Sequence, residues 1–311
     1  MRKLYSVVLA AFVPVMGAMA QESVAMDWLR ASRNPAVAAL AGAGSASAGQ
    51  GTAFAFLQNP ALAPLQQEKL GAGVSMALSP SGDATSNNLA AGVSYRLGKL
   101  SVHAGYTSTR YPETAFSSEG GGAAGTFVPT DMALGGGFGY AFTESLSLGA
   151  NVRYAMQQLS SKVSISSINA DVAALYRLGN LSLSAGAYCL GPKVKRSSGN
   201  SEYALPSSAK IGASYVLEFG DSVLDIVADA DYYFNSNLGF AAGAAYSLKD
   251  MFFARAGFAY GSSRDTFIVA PVPTHFALGA GVKLYGVRVD LCAKVVPNAG
   301  TVFCGGISYA L

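Results

Sequence analysis

Residues 223–234 read VLDIVADADYYF. Asp225, Asp229 and Asp231 alternate there with an unbroken apolar row: Leu224, Ile226, Ala228, Ala230, Tyr232 and Phe234. In a β-strand successive side chains point to opposite faces, so the acids share one face and the apolar row the other. A buried, unpaired carboxylate costs several kcal/mol or gives up its charge. A soluble edge strand could carry the acids, but it would have no use for a complete apolar row. The stretch calls for hydrocarbon on one side and an enclosed polar space on the other.

The whole composition agrees. Of 311 residues, 51% are hydrophobic and 13% charged, about half the charged share of an ordinary soluble domain. Residues 1–20 have the plan of a secretory signal peptide: Arg2 and Lys3, an apolar run from Leu4 to Met16, then the small-x-small pattern Ala18-Met19-Ala20. Without Arg2 and Lys3 the chain keeps 19 basic and 18 acidic residues, a formal charge of +1. That balance offers no attraction to nucleic acid. The uncharged stretch 34–67 contains AGAGSASAGQG and three prolines, which rules it out as a bilayer helix.

From residue 70 onward the period-two alternation repeats to the end of the chain. Fourteen segments are expected: 70–79, 89–97, 100–109, 132–142, 146–157, 163–177, 181–190, 208–219, 223–234, 237–248, 252–260, 275–284, 287–296 and 302–311. Each has about the ten residues that a tilted strand needs to cross a bilayer. One parity gathers Leu89, Val93, Tyr95, Met132, Phe138, Ile211 and Tyr215, and holds no Asp, Glu, Lys or Arg. The other gathers glycine, serine and the charges. Eight tyrosines (95, 140, 154, 176, 215, 246, 260 and 309) fall on the apolar parity, mostly near strand ends, as the aromatic girdles of a membrane barrel do. Alternate joints are very short, such as Gly98-Lys99, Gly179-Asn180 and Tyr285-Gly286. Joints between them are longer, at 111–130, 191–206 and 261–274. Short turns on the periplasmic side and longer loops outside mark an outer-membrane barrel, and an even strand count puts both termini on the short-turn side. The expected fold is therefore an all-β transmembrane barrel over 69–311, in the outer membrane of a Gram-negative bacterium and in contact with its lipid. The phase change between Ile165 and Ile168 reads as a bulge or loop boundary at Ser166-Ser167.

The interior parity carries Arg153, Lys210, Asp225, Asp229, Asp231, Arg255, Arg288 and Asp290, a mixed-sign set expected to form a polar network in the lumen. His103 and His275 share that parity and read as lumen-lining side chains. No nucleophile elbow, zinc signature or phosphate loop occurs, so no catalytic residue, metal ligand or cofactor is expected. GGGFG at 135–139 lacks the Lys-Ser/Thr of a phosphate loop. Cys189 falls on the lipid parity as a small apolar residue, whereas Cys292 and Cys304 fall inward on the last two strands. Strain in a cross-strand bridge favours two free thiols there. Inward glycines such as Gly105, Gly149 and Gly257 leave space in the lumen, and 21–68, small and apolar, is expected to fold into the periplasmic mouth as a hatch. Asn-Pro-Ala occurs twice, at 34–36 and 59–61, and reads as an Asn-Pro turn.

Residues 40–65, LAGAGSASAGQGTAFAFLQNPALAPL, resemble the N-terminal signature of the PorV/PorQ proteins of the FadL-like superfamily. The signature is a small-residue run, an aromatic and then Asn-Pro-Ala; the matching positions include Gly42, Gly44, Phe54, Phe56, Asn59, Pro60, Ala61 and Leu62. The sequence departs from it at 49–51, where Gly-Gln-Gly stands in place of acidic residues, and at its last residue, Leu311 rather than an aromatic. The resemblance implies a non-enzymatic barrel that serves type IX secretion by binding partner proteins. The alternative it implies is a FadL-like transporter that passes a hydrophobic ligand across the outer membrane.

Overall fold

The computed structural model describes residues 24–50, 53–81, 84–117, 123–197, 200–234, 237–262, 274–297 and 300–311. The expected signal peptide lies outside them. Fourteen antiparallel strands close into a barrel: β1 (Leu70–Ser81), β2 (Ala84–Leu97), β3 (Leu100–Arg110), β6 (Thr130–Ala141), β7 (Leu146–Gln158), β8 (Ser164–Leu178), β9 (Leu181–Leu190), β12 (Ser208–Phe219), β13 (Ser222–Tyr233), β14 (Asn237–Leu248), β15 (Phe252–Ser262), β16 (His275–Leu284), β17 (Val287–Val296) and β18 (Gly300–Ala310). Each pairs with the barrel strands next to it in sequence, and β18 closes on β1 with Val74 opposite Ile307. Two hairpins stand in the longer joints, β4 (Thr114–Ser117) with β5 (Ala123–Phe127) and β10 (Val194–Lys195) with β11 (Glu202–Tyr203). Closure leaves no unpaired edge, which a lipid environment requires.

The parity of the strands decides what each face meets. On β13 Ile226 is 47% exposed on the outside, while its neighbour Val227 is 1% exposed, packed inside against Leu40. The outward rows of the other strands are likewise large and apolar, among them Leu134, Ile211, Phe276 and Leu291. All eight girdle tyrosines are on that exposed face. An exterior of this kind is soluble only in hydrocarbon; this is an outer-membrane barrel.

Three local expectations are corrected. The β7–β8 register runs unbroken through Ser166 and Ser167. Ile165 simply faces inward, buried against Met26, Val194 and Leu205, while Ile168 faces out. The true irregularity is on the other side of β8, where the pairing with β9 skips between Ala170 and Val172. There Cys189 takes a left-handed φ of 53°. That twist turns Cys189 away from the lipid parity and buries it, with its N–H donating to Asp171 (2.9 Å). Finally, Cys292 and Cys304 are directly opposed on β17 and β18 with Cα atoms 5.0 Å apart, and their sulfurs are bonded. The register itself brings the Cα atoms into the disulfide range, so the thiols are not free. Alkylation followed by mass spectrometry should find one reactive thiol, Cys189, in the unfolded, unreduced chain, and three after reduction.

The described residues of the N-terminal stretch 24–68 form short turns of helix, including Pro35–Ala38 and Ala55–Gln58. Their placement comes from the barrel. Val24 bridges to Ala204 in the joint between β9 and β12, on the long-loop side. Near the other end the carbonyls of Leu65 and Gln67 accept from Arg177 and Arg96 (both 2.8 Å), and Lys69 N–H donates to the Leu311 carbonyl. The segment thus runs through the lumen from the loop side to the turn side, which corrects two expectations: it is not confined to the periplasmic mouth, and its first described residue, Val24, is on the long-loop side rather than the short-turn side. Ala36, Ala39, Leu40, Ala43 and Ala61 are fully buried along it. The inward glycines make the room: a Cβ on Gly257 would overlap Leu40, one on Gly105 the Phe56 ring, and one on Gly149 Pro60.

Candidate functional site

The eight charged residues expected in the lumen form separate groups. Lys210 pairs with Asp231 across β12 and β13 (3.4 Å). Arg255 and Arg288 share Asp290 (each 2.9 Å), and both guanidinium groups lie over the inward Phe253 ring. Asp225 and Asp229 serve the N-terminal segment. Asp229 accepts from the N–H groups of Gly44 and Ser45 (3.2 and 3.0 Å) and from the Ser45 hydroxyl (2.9 Å). Asp225 accepts from the hydroxyls of Ser214 and Ser47 and from Gln50. From β15 and β17, two and four strands further round the wall, Arg255 Nε donates to Gln50 Oε1 (2.8 Å) and Arg288 donates to the Gly49 carbonyl (3.2 Å). The acids of the opening stretch thus have partners of different kinds. Among the described residues no three His, Cys, Asp or Glu side chains are placed to hold a metal ion.

Arg153 pairs with Asp171 on β8 (2.8 Å), and its Nε donates to Asn169 (3.1 Å). Sequence reasoning did not select Asp171. It lies on the inward parity, but the apparent phase change at Ile165 hid the parity of that strand. Reading Ile165 as an inward apolar residue would have found it.

The two Asn-Pro-Ala motifs do the same work. Asn34 Oδ1 accepts from Ala36 N–H (3.0 Å), and its Nδ2 donates to the Gln50 carbonyl (2.8 Å). Asn59 Oδ1 accepts from Ala61 N–H (2.8 Å), and its Nδ2 donates to the Ser45 carbonyl (2.7 Å). Each asparagine closes its own turn and ties it to the 44–50 stretch. Phe56 stacks on His103 with ring centroids 4.8 Å apart, and its carbonyl accepts from Asn151 (2.9 Å). Pro60 lies over Gly149, and the Ala61 carbonyl accepts from Ser147 (2.6 Å).

Above this packed floor, in the half of the lumen nearer the long loops, is a cavity of about 240 Å³. Its apolar lining includes Val37, Ala38, Ala41, Phe54 and Leu57 from the N-terminal segment, and its polar lining includes Tyr188, Lys210, Asp231, Tyr233 and Lys294 from the wall. Arg30 lies over the Tyr233 ring and pairs with Asp27 (3.2 Å). Burial lowers the Arg30 pKa, with Asp27 the main opposing charge. Arg33 donates to Asn88 (2.7 Å), Thr109 (3.2 Å) and the Trp28 carbonyl; its pKa too is lowered by burial. A second cavity, about 280 Å³, lies among the loops against Trp28, Tyr111 and Tyr203 and meets the first at Asp27. The site can hold a molecule with an apolar body; it contains no nucleophile–base pair among the contacts described.

No family model matches the sequence, and no curated protein matches it. Solved structures do match in fold. The toluene transporter TbuX of Ralstonia pickettii superposes with a TM-score of 0.60 at 15% identity, covering 89% of this chain and 97% of its own. The CymD monoaromatic hydrocarbon channel gives 0.63 at 12%, covering 90% and 97%. A Pseudomonas aeruginosa FadL homologue gives 0.57 at 12%, covering 93% and 99%. The fold is FadL-like.

Proposed function

We propose that this barrel carries small hydrophobic molecules across the outer membrane, with 69–311 as the wall and 21–68 as a hatch that denies an open water path. The observation that supports it best is the cavity of about 240 Å³ inside the barrel, lined by apolar residues of the N-terminal segment on one side and by the strand wall on the other. A cavity of about 150 Å³ lined by apolar side chains accepts benzene, so this one has room for a single-ring compound. The resemblance in fold to hydrocarbon channels is in keeping with that reading. The motif at 40–65 acts, in this account, as the packing core of the hatch: Phe56, Asn59, Pro60 and Ala61 set its turns against the glycine-lined wall.

The test is uptake of a labelled monoaromatic compound by cells that make the barrel. Uptake should rise above that of cells lacking it and fall when Ala41→Trp fills the cavity. No gain in uptake, together with a secretion defect on deletion and stable capture of secretion-apparatus proteins, would instead support the accessory role implied by the PorV/PorQ-like motif.

A further inference from the structure

Charge in the inner cavity is unbalanced. Five cationic side chains line it, Arg30, Arg33, Arg153, Lys210 and Lys294, against two carboxylates, Asp27 and Asp231. Three of the five have ion-pair partners: Arg30 with Asp27, Lys210 with Asp231, and Arg153 with Asp171. Arg33 and Lys294 do not. Among the described residues no carboxylate lies within 4.0 Å of either; the one acid that acts on Arg33 from further off, Asp131, is held by the Tyr111 hydroxyl (2.6 Å). Arg33 spends its donors on neutral acceptors, Asn88, Thr109 and a carbonyl. The two also line an adjoining cavity of about 100 Å³ together, so they face the same space. Holding two like charges in an enclosed site is unfavourable unless an anion joins them.

We infer that Arg33 and Lys294 form the head-group subsite for a small organic acid: a carboxylate joined to a single ring or short apolar chain, whose body rests on Val37, Ala41 and Phe54. The inference rests on the transport reading and narrows it from neutral hydrocarbons to anionic amphiphiles. Size sets the other limit. At about 240 Å³ the cavity admits one ring and its substituent, whereas a long acyl chain would have to displace the N-terminal segment. A carboxylate would accept charge-assisted hydrogen bonds from both cations, and the apolar floor would take the ring out of water.

Equilibrium binding to the detergent-purified mature chain decides the matter, with benzoate, toluene and benzylamine as probes of one size and three charges. Benzoate should bind at least about tenfold more tightly than toluene, a difference of about 1.4 kcal/mol, and benzylamine should bind least. Lys294→Gln should cost benzoate about tenfold and leave toluene unchanged; Lys294→Glu should move the preference to benzylamine. Lys294 makes no hydrogen bond among those described, so these variants leave the hatch contacts intact. Arg33→Lys, which keeps the charge, should retain most benzoate binding. Equal binding of toluene and benzoate, or benzoate binding insensitive to Lys294→Glu, overturns the inference while leaving the transport reading in place. If none of the three binds, both fall.

Discussion

Deleting residues 34–66 should turn a barrel that passes almost no steady current in planar bilayers into an open pore. In the intact chain these residues fill the space left by the inward glycines; Leu40, Phe56 and Pro60 lie where side chains on Gly257, Gly105 and Gly149 would be. Each strand pairs with its two neighbours along most of its length, so the wall keeps its backbone hydrogen bonds without the segment. What is lost is the contact with Asp225, Asp229, Arg255 and Arg288, which then face water. A gentler variant separates opening from damage to the wall. Asp229→Ala removes the acceptor for the Gly44 and Ser45 N–H groups and should give intermittent openings, each buried bond to a charged group contributing about 1.5–3 kcal/mol. Large steady currents from the intact chain would show that the segment does not close the lumen.

Arg153→Met should be the most damaging single substitution in the wall. It leaves Asp171, whose side chain is 3% exposed, without its only ion-pair partner among the described residues. Breaking a buried pair by removing one member costs about 3–5 kcal/mol, because the remaining charge stays buried. Asp171 also accepts the Cys189 N–H at the β8–β9 bulge, so the damage should spread to that bulge. The folded barrel, followed by its faster migration on unheated gels, should therefore unfold at a clearly lower temperature. Adding Asp171→Asn should recover most of the loss, since an amide oxygen can still accept from Cys189 while the charge is gone. A single variant as stable as the parent would mean that the pair is solvated.

Strand existence was legible in the sequence because a membrane barrel imposes an unusually strict rule. Every outward position must be free of charge, so parity could be read from the Asp225–Asp229–Asp231 face alone and extended to every strand. The ends moved by a few residues, as at β2, which begins at Ala84 rather than Leu89. The rule fails where the inside is also apolar. Ile165 and Val227 face inward against Met26 and Leu40, and an inward Ile is indistinguishable by hydropathy from an outward one. Cys189 was misplaced for a different reason: its left-handed backbone at a bulge changes parity within one residue. The inner site was the least legible. Its partners come from short turns at 27–50, which carry no periodicity, and meet wall residues some 180 positions away, as Ser45 meets Asp229. Composition announced a filled lumen through its glycines; it could not say which serine or amide would meet which acid.

Nitroxide scanning along β13 tests the central claim most directly. Single labels at positions 223, 224, 226, 227, 228 and 230, in a background with the native cysteines replaced, are read for collision with oxygen dissolved in lipid and with a water-soluble nickel chelate. Labels at 224, 226, 228 and 230 should meet oxygen and not the chelate, and those at 223 and 227 should lose that oxygen access, giving a period of two. A flat profile, or chelate access along the Ile226 row, would contradict a barrel whose uncharged face lies in hydrocarbon.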